Sequence, residues 1–315
     1  MRTDLALERN KAQGQTRDVQ QSDDQRITVT TMHIAEQQER ETGIPQGTYV
    51  TIDVPEYRHT PSEFPARIID HGTKTLQSLF SQHRVQNDDA VLVVGLGNRH
   101  VTPDALGPRV VDDIVVTRHW GRVEPSWSGY RIVSACAPGV LGITGMETSE
   151  VVQSIVEHTR PRAVVLVDAL ASRSLSRVYT TIQFSDAGLS PGSGVGNHRK
   201  PITRAVLGVP VFVIGVPTVV YASTIVQDTL DAIERIVRAR TEVSKDVLGI
   251  LSSLSSEQRR TLAREILEPT GDDLVVTPKE VDQFIEDMGS IIAQMLNKAL
   301  QPDVIHMNPL MKTNS

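Results

Sequence analysis

The sequence is short of several features that usually place a protein at once. It has a single cysteine, Cys136, in 315 residues, so it cannot form an internal disulfide, and this usage fits a reducing compartment. Aromatic residues make up only 4% of the chain, so a core has to be built from Val, Ile, Leu and Ala. No apolar run reaches the roughly 18 residues of a membrane-spanning helix. The first residues, Met1-Arg2-Thr3-Asp4-Leu5, lack the apolar centre of a signal peptide. Positive charge is not in excess: 32 Lys and Arg face 38 Asp and Glu, a formal net charge of −6. That balance argues against nucleic acid as a direct ligand, because phosphate binding depends on clustered Lys and Arg. These absences together point to the cytoplasm, with no membrane partner.

What is present has an order. Residues 1–24 are polar, rich in Gln and Asp and without a sustained period, and read as a flexible N-terminal arm. Two β-like runs follow, Arg26–Met32 and Thr48–Val54, expected to form a small layer attached to the main domain. Between Pro61 and Val85 the apolar residues Ile68, Ile69, Leu76, Leu79 and Phe80 recur at helical spacing. Four near-continuous apolar runs then appear: Ala90–Gly95, Arg131–Cys136, Ala163–Val167 and Pro210–Gly215. Runs of this kind suit strands covered on both faces.

Helical stretches expected at Asp104–Arg118, Glu147–His158 and Ser223–Arg240 alternate with the four runs. The alternation predicts an α/β fold, a mostly parallel sheet with helices on both faces. Arg177–Phe184 alternates in polarity and reads as a half-exposed strand. Beyond Thr241 two further helices are expected, Ser252–Leu267 and Lys279–Leu300. The division is therefore a flexible arm over 1–24, one α/β domain over 25–300 with C-terminal helices from about 241, and a tail over 301–315.

In open α/β sheets, ligands bind beyond the carboxyl ends of the strands. That rule nominates Gly97-Asn98-Arg99-His100-Val101-Thr102-Pro103-Asp104 after the first run and Asp168 directly after the third. Two carboxyl groups facing one crevice cannot both ionise cheaply, so one holds a proton and the pair can act as acid and base on water. Asp104 also suits a plainer role as a first-turn helix acid. Asp168 is harder to explain structurally, because a carboxylate beside an apolar run is costly to bury unless it is paired or used.

Gly192-Ser193-Gly194-Val195-Gly196, inside the Gly- and Ser-rich stretch Ser185–Lys200, lacks the Gly-Lys-Ser/Thr ending of a phosphate loop and the Gly-x-Ser-x-Gly pattern of a nucleophile elbow. Its glycines suit close approach of a substrate backbone. Asn98, Glu147, Ser193, Gly194 and Asn197 are the substrate-binding candidates, with Glu147 equally able to serve the dipole of the helix it begins. Cys136 reads as a buried small hydrophobe. His119, His158 and His198 show no metal spacing, and neither a metal nor another cofactor is expected.

Longer strings add a resemblance. Val93-Val94-Gly95-Leu96-Gly97-Asn98, Val101-Thr102-Pro103-Asp104-Ala105-Leu106-Gly107-Pro108, Ala137-Pro138-Gly139-Val140, Gly145-Met146-Glu147-Thr148-Ser149, Val167-Asp168-Ala169-Leu170-Ala171, Pro191–Asn197, Gly215–Val220 and Val276–Asp282 resemble the germination proteases of spore-forming bacteria. The likeness runs from Arg2 to about Leu300.

The resemblance implies a fold related to the hydrogenase-maturation endopeptidases and an unusual aspartic-type endopeptidase whose catalytic pair falls on Asp104 and Asp168. It implies small acid-soluble spore proteins as substrates in the spore core, and a homotetramer that needs no metal. It also implies a zymogen cut after an acid and before an apolar residue, a pattern carried here by Asp4 and Leu5. Only four residues precede Leu5, fewer than the usual prosegment. Tyr221 stands where the family pattern has an acid, and the region after Arg240 is shorter than usual. Two other readings remain open at this stage: a metal-dependent maturation-type endopeptidase with a third ligand such as His198, and a non-catalytic relative that holds spore proteins.

Overall fold

The computed structural model describes residues 5–9, 17–21, 26–57, 61–120, 130–190, 199–239, 258, 261 and 274–301. The chain opens with a short helix α1 (Ala6–Arg9), the strands β1 (Arg17–Gln21) and β2 (Thr28–Ile34), helix α2 (Glu36–Thr42) and strand β3 (Gly47–Asp53). A long helix α3 (Pro65–Gln82) leads to β4 (Val91–Gly95), α4 (Leu106–Asp112) and β5 (Val133–Cys136). Next come α5 (Leu141–Thr144), α6 (Thr148–Thr159), β6 (Ala163–Ser172), β7 (Thr181–Ser185) and α7 (Arg204–Leu207). The described chain finishes with β8 (Val211–Tyr221), α8 (Ala222–Ala239), β9 (Val275–Val276) and α9 (Val281–Leu300).

Among the described residues, nine strands join one sheet in the order β1-β2-β3-β7-β8-β6-β4-β5, with β9 paired to β8. The neighbours β8-β6-β4-β5 are parallel, as the apolar runs predict. Antiparallel pairs carry the sheet outward through β7, β3, β2 and β1. The N-terminal strands thus continue the main sheet and do not form a layer of their own. On β3, Tyr49, Val50, Thr51 and Ile52 stand opposite Ser185, Phe184, Gln183 and Ile182 of β7.

Side chains alternate along each strand and supply two cores. Val165 and Val167 of β6, Ile182 and Phe184 of β7, and Phe212 and Ile214 of β8 enter the larger core, under α3, α4 and α9. Val164 and Leu166 of β6, Val211 and Val213 of β8, and Val94 of β4 enter the smaller one, with Val152 and Val156 of α6. Helices therefore cover both faces. The stripe Ile285, Met288, Ile292, Met295 and Leu296 on α9 repeats every three or four residues and is buried. Packing against α3 is close enough that a Cβ on Gly72 would run into the Met295 side chain.

Several elements differ from the sequence-based expectation. Helix α4 is shorter than Asp104–Arg118, because after Asp113 the chain turns so that the Thr117 and Arg118 N–H groups donate to the Val133 carbonyl. Strand β7 is buried along its whole length and is not half-exposed. Within the stretch read as an arm, residues 5–9 and 17–21 hold ordered elements, and Leu5 is fully buried. The Ser252–Leu267 helix lies almost wholly outside the described residues.

Candidate active site

Neighbouring strands β4 and β6 send their connections in opposite directions. β4 leads through α4 to β5 on one side, while β6 leads through β7 to β8 on the other. A crevice opens beyond the strand ends at such a reversal. The paired register ends at Gly95 opposite Val167, and one further bond runs from Leu96 N–H to the Val167 carbonyl at 2.8 Å. β6 continues to Ser172 without β4 beside it. The tight turn Thr102–Asp104 packs against β6 and β8 there.

Asp104 closes that turn. Its Oδ2 accepts the Asn98 N–H at 2.8 Å, and the same N–H lies 3.1 Å from the Asp104 carbonyl oxygen. Asn98 in turn uses its side-chain oxygen to accept the His100 N–H at 3.0 Å. Two glycines allow the loop to close this tightly. Gly97 has φ of 110°, and a Cβ there would collide with the Asp104 carbonyl oxygen. A Cβ on Gly107 would strike the backbone of Leu96 and the Val167 carbonyl. The start of α4 therefore rests directly on the ends of both strands, three residues after Asp104 and against the residue that precedes Asp168. Loss of water pushes the Asp104 carboxyl from 3.8 up to about 6, against the opposing pull of the Asn98 N–H.

Asp168 lies within β6, is 7% exposed, and accepts the Ala169 N–H on Oδ1 at 3.0 Å. It stands in register with Gly215 of β8. Alternation along β6 puts it on the face of Leu166, with Leu96 of the β4 end in the same core. The fold thus brings the turn that holds Asp104, after β4, and Asp168, within β6, to the same strand ends.

Glu147 occupies the N-cap position of α6. One of its carboxylate oxygens lies 3.6 Å from Arg199 Nη1, and the other is buried with no hydrogen-bond partner among the described residues. Ser149, in the first turn of α6, is equally buried, and its hydroxyl likewise lacks such a partner. Sequence reasoning passed over Ser149 and Arg199. The available signal was Ser149 standing three residues before the buried Val152, hence on the inward face of α6. Asp4, Ser193, Gly194, Asn197 and His198 lie outside the described residues.

Cys136 is only partly accessible, and burial pushes its thiol up to about 11, the mark of a packing residue and not of a thiolate nucleophile. Among the described residues, no group of three or more His, Cys, Asp or Glu is gathered as a metal site requires, and no helix is long and apolar enough to cross a membrane.

The sequence model of the germination protease family matches residues 2–238 and 238–311. The germination protease of Bacillus velezensis is 40% identical, over 96% of this chain and 94% of its own length. That of Caldanaerobacter subterraneus is 42% identical over the same shares, and that of Clostridium perfringens 44% identical over 89% of this chain and 86% of its own. Among solved structures, the [NiFe] hydrogenase maturation protease HycI from Thermococcus kodakarensis aligns with 71% of this chain and 99% of its own, at 15% identity and a TM-score of 0.35. By the extent of the family match and by these identities, the chain belongs to the germination protease family.

Proposed function

We propose that the protein is an endopeptidase that cuts small acid-soluble spore proteins at germination, using Asp104 and Asp168 to activate water. The observation that carries this reading is the Asp104 carboxyl. It is half-buried where two parallel strands end, and loss of water raises its proton affinity to about 6. A group raised in this way keeps a proton in mildly acidic solution while a partner stays ionised, which divides the acid and base roles.

In the proposed reaction the Asp168 carboxylate takes a proton from water as the water oxygen bonds to the peptide carbonyl carbon. Asp104 gives its proton to the carbonyl oxygen, so no free oxyanion has to be carried. On collapse, the carbon–nitrogen bond breaks and the leaving nitrogen takes the proton held by Asp168. One hydroxyl proton of the tetrahedral carbon returns to Asp104, and both acids recover their starting states. Neither a metal nor a protein nucleophile takes part.

Membership of the family also supports N-terminal processing between Asp4 and Leu5, assembly as a homotetramer and a place in the spore cytoplasm. The test is to incubate purified protein with a small acid-soluble spore protein at mildly acidic to neutral pH and to identify the fragments by mass. Discrete internal cuts are expected, and Asp168→Asn should slow them by roughly 10²- to 10⁴-fold. An uncut substrate, or equal cutting by Asp168→Asn, would reject the proposal.

A further inference from the structure

The start of α6 lies at the end of the sheet that holds Asp168. A crossover helix runs antiparallel to the strands it joins, so α6, between β5 and β6, begins at their carboxyl ends. Val152 and Val156 of α6 pack in the smaller core with Leu166 of β6 and Leu96 at the end of β4. Ser149 stands one turn before Val152 on the same side of the helix. Asp168 stands two residues beyond Leu166 on the same face of β6. Both side chains therefore lie just past the end of one apolar core, on one face of the sheet.

The polar groups at this helix start are not used by the fold. Glu147 holds the N-cap position, yet its side chain makes no cap hydrogen bond, and the first N–H groups of a helix have no acceptor within it. Among the described residues, one Glu147 carboxylate oxygen is buried without a hydrogen-bond partner, and so is the hydroxyl of Ser149, a residue 3% exposed. Thr148, between them, is engaged: its hydroxyl donates to the Gly139 carbonyl at 3.2 Å. The other Glu147 oxygen lies 3.6 Å from Arg199 Nη1, with both side chains about one quarter exposed. A long, partly wetted ion pair of this kind contributes little, so it parts easily and opens a way to the two buried atoms.

A buried acceptor and a buried donor without partners each cost free energy. Side by side, they match a group that brings one donor and one acceptor together. A residue in extended conformation does this, since its N–H and C=O point to the same side, as in an antiparallel strand pair. We infer that Glu147 and Ser149 are substrate-positioning residues that clamp the backbone of one extended residue near the scissile bond. Glu147 accepts that residue's N–H, and the Ser149 hydroxyl donates to its C=O. The inference rests on the reading of the protein as a peptidase acting at Asp168. Because the clamp grips main chain, it places a polypeptide without selecting the side chain of the residue it holds.

The full chain carrying Asp168→Asn, which prevents turnover, is titrated into a dye-labelled small acid-soluble spore protein and followed by fluorescence anisotropy. Adding Ser149→Ala should raise Kd about 5-fold, the weight of one neutral hydrogen bond, and adding Glu147→Ala should raise it at least about 10-fold, since that bond is to a charge. In the active enzyme both changes should raise KM by similar factors with kcat nearly unchanged.

Thermal unfolding separates the clamp from a structural role. A buried hydroxyl that the fold does not use lowers stability, so Ser149→Ala should melt at the same or a higher temperature than its parent while binding more weakly. A hydroxyl that serves the fold through a trapped water gives the reverse, a lower melting temperature with Kd and KM unchanged, and that result overturns the inference. Unchanged Kd in Glu147→Ala overturns it as well. If Glu147→Ala does not fold, Glu147→Asp, which keeps the charge and shortens the reach, takes its place under the same criterion. Binding needs no turnover, so its failure is separate from failure of the catalytic reading, which would appear as undiminished cutting by Asp168→Asn.

Discussion

Replacing Asp104 with asparagine should remove activity and stabilise the fold, and the stabilisation should depend on pH. In the folded protein the carboxyl holds its proton up to about 6, against 3.8 for an ordinary aspartate. Between these values the unfolded chain has lost the proton and the folded chain keeps it. The folded state binds more protons there, so stability falls as pH rises from about 4 to about 6 and then levels off. A separation of about 2 pH units at about 1.4 kcal/mol each sets an upper limit near 3 kcal/mol. Asparagine presents the Asn98 N–H with a neutral acceptor in place of a charged one, which returns about 1 kcal/mol of that gain. The net stabilisation above pH 7 is then at most about 2 kcal/mol. Urea unfolding of both proteins at several pH values from about 4 to 8 measures it. The two curves should nearly coincide at the acid end and separate steadily to a plateau. A difference that does not vary with pH, or a variant less stable than wild type at pH 7, would show that Asp104 is not a carboxyl starved of water.

Gly97→Ala should cost at least about 2 kcal/mol, since φ of 110° and the Asp104 carbonyl both oppose a Cβ; it should also abolish cutting, and a variant with normal melting and activity would refute the role given to that turn. Cys136→Ala should keep activity, and the native thiol, held near 11 by burial, should react with iodoacetamide much more slowly at pH 8 than free cysteine does. Exhaustive chelation followed by assay in chelator should leave turnover intact; loss that is restored by one divalent cation would favour a metal-assisted reaction.

The four apolar runs were legible because a strand buried on both faces has no choice but to be apolar along its length. Their ends were less so. The runs end at Val167 and Gly215, yet β6 and β8 pair on to Ser172 and Val220, where small and polar residues such as Asp168, Ser172 and Thr218 interrupt the pattern. β7 shows why alternation alone misleads. Its polar residues suggested a wet face, but Thr181 donates to Asp53 Oδ1 at 2.6 Å and Gln183 is capped by the Ala6 N–H. Satisfied in this way, polar side chains can be buried with little penalty. Asp104 and Asp168 were nominated by their place after strands. Ser149 and Gln183 were not, because what distinguishes them is a neighbour far away in sequence. The same holds for Leu5–Glu8: four residues offer no period, and their anchors lie more than 160 positions downstream.

The reversal between β4 and β6 has a consequence for the cell that makes this protein. Asp104 follows β4 and Asp168 lies in β6, so the two acids belong to separate parts of the chain. A ribosome that has released the chain only as far as α4 has made one of the two acids proposed to act together. The two parts meet only when parallel strands with a whole crossover between them zip together, a late and non-local event in folding. On the proposed mechanism, such a hydrolase is harmless as a nascent or damaged chain, because the ability to cut would arise and disappear together with the pairing of two strands.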